Sequence, residues 1–370
     1  MTKGLQQFLK HLKKEGKLLN NDYTKHIYVN ELSRFSIKKV AIDLSCFIHK
    51  FNSTKSNKNY IVDFINLIEL FNDNNIKIIF VFDGKPPIEK GRVLKDRKDK
   101  RQKNINTVKK YEEDLQELQS KSNDVNNIIN EDKTIYETEI ENIKRNINKF
   151  KKRSFSIKKY HITLLKQLFD LLKIAYIHLD NEADLTISNL IKQGYVDACL
   201  SDDYDMISFQ STLIIRDLNL YKKSASIINL NDLCLKTKLK PDQLTYLNIM
   251  LGCDYSNAIT NINLSYMHSL LLQNYDIKQI LKLINKEQFI TSYETAFELF
   301  NKKLSITTND GIINNNEFSK NNTSYIINIS DKEKDSFITN LDLDDANKAL
   351  VHTKLNTYLD KFNTNIPLFF

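Results

Sequence analysis

Three apolar runs in this chain lead into carboxylates. Val40-Ala41-Ile42 leads into Asp43, Ile78-Ile79-Phe80-Val81-Phe82 into Asp83, and Ala198-Cys199-Leu200 into Ser201, with Asp203 and Asp205 just beyond. Glu182 and Asp184 open a helical pattern directly after another apolar stretch, and Asp254 follows Ile249-Met250-Leu251-Gly252-Cys253. Taken singly, an acid after a strand is commonly a turn or cap residue, and Glu182 could simply favour a helix N-terminus. Seven converging on one end of a sheet would repel one another and could not all stay ionised without cations. Oxygen ligands suit Mg²⁺ or Mn²⁺. Two such ions roughly 4 Å apart can activate a water and stabilise the leaving oxygen of a phosphodiester. Lys90 and Arg97, shortly after Asp83, supply positive charge for a scissile phosphate. The chemistry expected is metal-dependent hydrolysis of nucleic acid.

The elements that must position these residues alternate as in α/β folds. Strands are expected at 40–42, 76–82, 176–179 and 198–200, with a hairpin from 213–215 and 226–228. Helical patterns fall at 61–72, 160–173 and after Leu179, where Asp180 or Asn181 is the expected cap. In open α/β sheets the crevice at the carboxyl ends of the strands is the usual ligand site. From about residue 230 the pattern is helical, and 301–340 is a polar stretch that reads as loop.

The segment between Asp83 and residue 160 has little apolar periodicity, but its charge is blocked. Residues 90–110 hold ten Lys or Arg, 111–143 hold ten acids, and 144–159 hold eight basic residues and no acid. Both ends of such an insertion must return to the core, so its basic blocks lie near the core and its acidic block far from it. The net charge of +8 favours a polyanionic partner. Four cysteines without CxxC spacing argue against a zinc site or a disulfide framework, and for a reducing, intracellular compartment. No apolar run approaches the roughly 20 residues needed to span a bilayer. The scarcity of Gly and Pro beside abundant Asn, Lys and Ile reads as A+T-rich coding bias.

At these residues the sequence resembles the flap endonuclease/XPG family of structure-specific 5′ nucleases. The matching stretches are KVAIDLS (39–45), FVFDGKPP (80–87), NEADLTISNLI (181–191), ACLSDDYDMISF (198–209) and LGCDYS (251–256), in the family's order. The resemblance implies a PIN-like, mostly parallel sheet flanked by helices, with a helical arch insertion and a helical C-terminal region. It divides the chain into an N-terminal nuclease region (1–89), the arch (90–159), an internal nuclease region (160–256), a degenerate helix–hairpin–helix-like region (257–300) and a polar loop, helix and tail (301–370). It makes Asp43, Asp83, Glu182, Asp184, Asp203, Asp205 and Asp254 the ligands of two Mg²⁺, with Mn²⁺ as a substitute. Lys90 and Arg97 become the catalytic cations. His49 takes the place of a base-stacking tyrosine, and Lys95, Lys98, Lys100, Arg101, Lys149, Lys151 and Lys152 would meet the nucleic acid.

The implied function is cleavage of 5′ flaps or branched DNA in replication, repair or recombination, by a monomer in the nucleus. A 5′→3′ exonuclease, an RNA-directed nuclease on the same core and a non-catalytic DNA-binding scaffold are the alternatives; a scaffold would typically have shed some of the seven acids. The chain departs from the family's pattern in places. Thr2 stands where the family has Gly, and Asp184 where it usually has Glu. The glycines of the helix–hairpin–helix are missing from 259–266, which puts duplex anchoring and any K⁺ site there in question. Viral members of the family diverge in this way. At the C-terminus, Asn363, Ile366, Phe369 and Phe370 fall at the spacing of a sliding-clamp-binding tail; packing of the two phenylalanines on the parent domain is the alternative.

Overall fold

The computed structural model describes residues 3–18, 23–54, 59–124, 130–261, 263–306, 312–313 and 329–364. Its strands are β1 (Thr24–Tyr28), β2 (Lys39–Asp43), β3 (Lys77–Phe82), β4 (Ala175–His178), β5 (Ala198–Leu200), β6 (Leu213–Asn219), β7 (Ser224–Asn229) and β8 (Ile312–Ile313). They form one sheet in the order β1-β7-β6-β5-β2-β3-β4-β8. The five strands from β6 to β4 run parallel. Antiparallel β7, β1 and β8 extend the two edges.

The helices are α1 (Lys3–Lys14), α2 (Leu44–Thr54), α3 (Tyr60–Asn72), α4 (Gly91–Asp124), α5 (Asn130–Ser154), α6 (Lys159–Leu171), α7 (Ala183–Lys192), α8 (Asp205–Ser208) and α9 (Leu230–Thr237). After them come α10 (Pro241–Leu251), α11 (Leu264–Leu272), α12 (Ile277–Leu283), α13 (Ile290–Asn301), α14 (Asp331–Thr339) and α15 (Asp345–Thr364).

The central strands β2, β3 and β5 are built on unbroken apolar runs because helices cover both faces of the sheet. Alternate residues of β2 and β3 feed two separate cores. Ala41, Ile79 and Val81 join α1, α7, α10 and α13 on one side. Val40, Ile42, Phe80 and Phe82 join α2, α3, α6 and α15 on the other. Phe80 stacks on Phe169 of α6 with ring centroids 4.2 Å apart. Ile61, Phe64, Ile65, Ile68 and Phe71 of α3 are buried in that second core, each contributing about 1.5–3 kcal/mol by leaving water.

Register sets the level of the strand ends. Ile42 pairs with both Phe80 and Leu200, so β2, β3 and β5 finish side by side. The chain leaves β3 through Asp83 and Gly84 and passes two prolines and a short 3₁₀ turn, Ile88–Lys90, before entering α4. α4 and α5 pack antiparallel as a long hairpin. Its roots carry the basic blocks and its acidic stretch lies toward the tip.

Several expectations need correcting. The stretch 301–340 contains β8 and α14, the latter with Ser330 as its N-cap and Glu333 completing a capping box. Strand β1 was not anticipated. The cap of α7 is Glu182, not Asp180 or Asn181, and its side chain makes no capping bond. The first backbone N–H of that helix, that of Ala183, donates instead to Asp83 Oδ1 at 3.0 Å.

Candidate active site

Asp43 ends β2 and is 8% exposed. Its Oδ1 accepts the Cys46 backbone N–H at 3.1 Å, and its Oδ2 accepts the Ser201 hydroxyl at 3.1 Å. Ser201 Oγ also accepts the Asp203 N–H at 3.2 Å, tying the β2 and β5 exits together. Asp203 Oδ1 accepts the Asp205 N–H at 3.1 Å, so the loop after β5 curls into α8. Burial, and then the charges of Asp43 and Asp203, hold the Asp184 carboxyl well above the usual carboxylate range. Burial and the neighbouring Asp83 raise Asp43 likewise. Asp43, Asp83, Asp184 and Asp203 therefore share one field.

The two strand exits that carry Asp83 and Glu182 are pressed together at Gly84. Its N–H donates to the Asn181 carbonyl at 2.9 Å. A Cβ there would lie 2.1 Å from the Leu179 carbonyl oxygen and 2.7 Å from the Asn181 nitrogen. Only glycine permits that approach.

Glu182 and Asp254 are neutralised by side chains. Lys90 Nζ lies between them, bonded to Glu182 Oε1 and 3.0 Å from Asp254 Oδ2. Arg97 reaches both Asp254 oxygens, at 3.0 and 2.9 Å. Tyr255 donates its hydroxyl to Glu182 Oε2 at 2.6 Å. Burial acts to raise the Asp254 pKa, but Lys90 and Arg97 outweigh it and hold the carboxyl below its ordinary range. Burial acts to lower Lys90, and Asp254 and Glu182 overcome it, so the ammonium is held charged. Asp205, 3% exposed, accepts the side-chain amide of Asn248 at 2.8 Å.

All seven acids lie on this carboxyl edge or the adjoining loops, but in separate subsets. Among the described residues no three His, Cys, Asp or Glu side chains stand together tightly enough to grip an ion. The donors nevertheless suit a hard divalent cation. Asp184 Oδ1 is buried with no hydrogen-bond partner, and the four mutually repelling acids offer oxygen alone. The four cysteines are free, and no described helix is long and apolar enough to cross a membrane.

The basic residues flank this edge. Lys95, Lys98, Lys100, Lys149, Lys151 and Lys152 are exposed on the hairpin roots. Lys151 pairs with Glu112 across the hairpin at 2.7 Å. His49, on α2, meets Phe155 edge-on at 5.4 Å. Burial, then Arg97 and Arg101, lower its pKa and keep the ring neutral. Next to Phe155 a cleft of about 1300 Å³ opens between the hairpin root, α3 and α6, lined in part by Lys98, Arg101, Lys158, Tyr60 and Tyr160. Asn363 falls in the last turn of α15. Ile366, Phe369, Phe370 and Thr2 lie outside the described residues.

Sequence reasoning passed over Ser201, Tyr255 and Asn248. The first two sit inside the quoted stretches, where only the acids drew notice. Asn248 is an amide at a core position between Leu247 and Ile249, which was a readable signal.

A mostly parallel sheet with acids at its carboxyl edge and a basic helical hairpin rooted beside them defines a PIN-like nuclease fold. Residues 3–104 match the XPG N-terminal domain and residues 173–254 the XPG I-region. Flap endonuclease 1 of Nematostella vectensis is 28% identical over 303 residues, spanning 77% of this chain and 73% of that protein. A RAD2-like endonuclease of Invertebrate iridescent virus 3 is 25% identical over 329 residues, spanning 76% and 83%. The solved flap endonuclease-1 from Methanococcus jannaschii covers 91% of this chain and 96% of its own with a TM-score of 0.55 at 19% identity, a likeness of fold. This chain belongs to the flap endonuclease/XPG family. It is a nuclease of that family, in which dependence on metal is general.

Proposed function

We propose that the chain cuts 5′-flapped or branched DNA at two Mg²⁺ ions held by Asp43, Asp83, Glu182, Asp184, Asp203, Asp205 and Asp254, with Mn²⁺ able to substitute. The observation that carries this is the buried, unpartnered Asp184 Oδ1 within a set of acids whose mutual repulsion is only partly relieved. Bound there, the ions would supply an activated water and stabilise the leaving oxygen.

The chain's own residues do the rest. Ser201 and the Cys46 N–H orient Asp43, and the Ala183 N–H orients Asp83. Lys90 and Arg97, poised on Glu182 and Asp254, have the charge and reach to turn to the scissile phosphate. His49, kept neutral, offers a ring for a base to stack on. Lys95, Lys100, Lys149, Lys151 and Lys152 take the DNA backbone, with Lys98 and Arg101 where the cleft beside Phe155 meets the hairpin root. The protein acts as a monomer in the nucleus, and Asn363, Ile366, Phe369 and Phe370 engage a sliding clamp.

Cleavage of a labelled 5′-flap DNA, its RNA counterpart and a nicked duplex tests the reading. Mg²⁺-dependent incision near the flap base of the DNA alone is expected. Release of single nucleotides from the nicked duplex, or equal cutting of the RNA flap, would favour the exonuclease or RNA-directed alternative.

A further inference from the structure

Asn248 lies in the interior of α10 and is fully buried. Its neighbours Leu247, Ile249 and Met250 are buried apolar side chains. A primary amide in such a place costs free energy unless its groups are bonded. One side is fully used: Nδ2 donates to Asp205 Oδ1 at 2.8 Å and to Ser208 Oγ at 2.8 Å. The other is left out, since Oδ1 is buried with no partner. Turning the amide over would set its oxygen against a carboxylate, so the orientation follows from the chemistry. Leucine would fill this volume without stranding an acceptor. The residue is therefore explained by its donors.

Those donors differ in kind from the others around the site. Lys90 and Arg97 hold Glu182 and Asp254 by neutralising them. Asn248 fixes one oxygen of Asp205 and leaves the carboxylate its full charge. Both of its bonds go to the short helix α8, so the amide also sets the rotation of the turn that carries Asp205. Thr245, one turn earlier on α10, bonds the Ser208 carbonyl at 3.0 Å and fastens the same helix through its backbone.

We infer that Asn248 is a positioning residue, a neutral second-layer donor that holds Asp205 in place to bind a divalent cation. This rests on the assignment of Asp205 as a metal ligand, and the test separates the two. Mn²⁺ binding to the full chain without DNA is measured by the electron paramagnetic resonance of the free ion, for wild type, Asp205→Asn, Asn248→Leu and Asn248→Ala. Thermal melts and DNA affinity are recorded alongside.

Outer-layer donors typically contribute 10–100-fold to metal affinity. Asn248→Leu is expected to weaken Mn²⁺ about tenfold or more and to lower kcat, with DNA affinity unchanged within twofold. If the leucine variant does not melt cooperatively, Asn248→Ala, which removes the donors without adding bulk, carries the same expectation. Mn²⁺ affinity within twofold of wild type in either folded variant, while Asp205→Asn loses it, overturns the role of Asn248 alone. No loss in Asp205→Asn overturns the metal assignment and this inference together.

Discussion

At the scale of the residue, the acids respond to two opposite environments. Asp43 and Asp184 are pushed toward protonation by burial and by neighbouring acids, whereas Asp254 is pulled the other way by Lys90 and Arg97. A divalent ion would be drawn to the first group because it relieves their repulsion. At the second group it would compete with an ammonium and a guanidinium. Asp203→Asn and Asp83→Asn keep shape and remove charge. Each is expected to reduce single-turnover cleavage by at least about 100-fold, beyond the 10–100-fold usual for outer-layer changes. DNA affinity should hold within a few-fold, because most of it comes from backbone contacts elsewhere. Cleavage near the wild-type rate in Asp203→Asn would falsify its assignment as a ligand. Ca²⁺, with its larger and looser shell, is expected to support binding but little turnover.

At the scale of the element, two junctions carry the site. The first is the contact at Gly84, where the exit of β3 meets the loop between β4 and α7. Gly84→Ala must push backbone apart, since the atoms facing the new Cβ belong to Leu179 and Asn181 main chain. A loss of about 1–3 kcal/mol is expected in denaturant unfolding, together with slower cleavage as Asp83 is displaced from the N-terminus of α7. Stability unchanged from wild type would show that the loop yields freely.

The second junction is the root of the α4–α5 hairpin. Lys90→Ala and Arg97→Ala are expected to lower the single-turnover rate by roughly 100-fold while changing Kd far less, because their charge acts on the developing transition state. Replacing Lys149, Lys151 and Lys152 with Ala should instead weaken binding and flatten its salt dependence by up to about 2 to 3 in log–log slope. The same phenotype from both groups would contradict this division of labour.

At the scale of the whole molecule, the C-terminal helix is fastened to the second core. Tyr358 is buried and accepts the Asn72 amide at 2.7 Å. Lys354 and Lys361 pair with Glu69, and Lys361 also with Asp73. The eight residues from Asn363 thus begin from an anchored helix. If they form a clamp ligand, a peptide of residues 358–370 should bind the sliding clamp of the same organism or host. Phe369→Ala with Phe370→Ala should then remove that binding and leave flap cleavage intact. No binding by calorimetry at high micromolar peptide, or a lowered melting temperature in the double variant, would favour packing of the phenylalanines on the parent domain.

Much of this was legible in the residues themselves. A parallel strand buried on both faces must be an unbroken apolar run, so the ends of β2, β3 and β5 were marked by Asp43, Asp83 and the acids after Leu200. The hairpin was legible because basic blocks at both ends of an insertion, with an acidic block between them, say which part faces the core. Edge strands β1 and β8 escaped, since an edge is held by backbone hydrogen bonds that no side-chain period reports. Helix α14 escaped because Phe337 is its one buried residue, although Ser330 and Glu333 spelled out a cap. What tertiary structure alone decided was pairing across long separations. Asp83 caps a helix that starts a hundred residues later. Lys90 bridges Glu182 and Asp254, and Asn248 finds Asp205. Local sequence states which groups need a partner; which of many possible partners is reached depends on how the sheet and its helices pack.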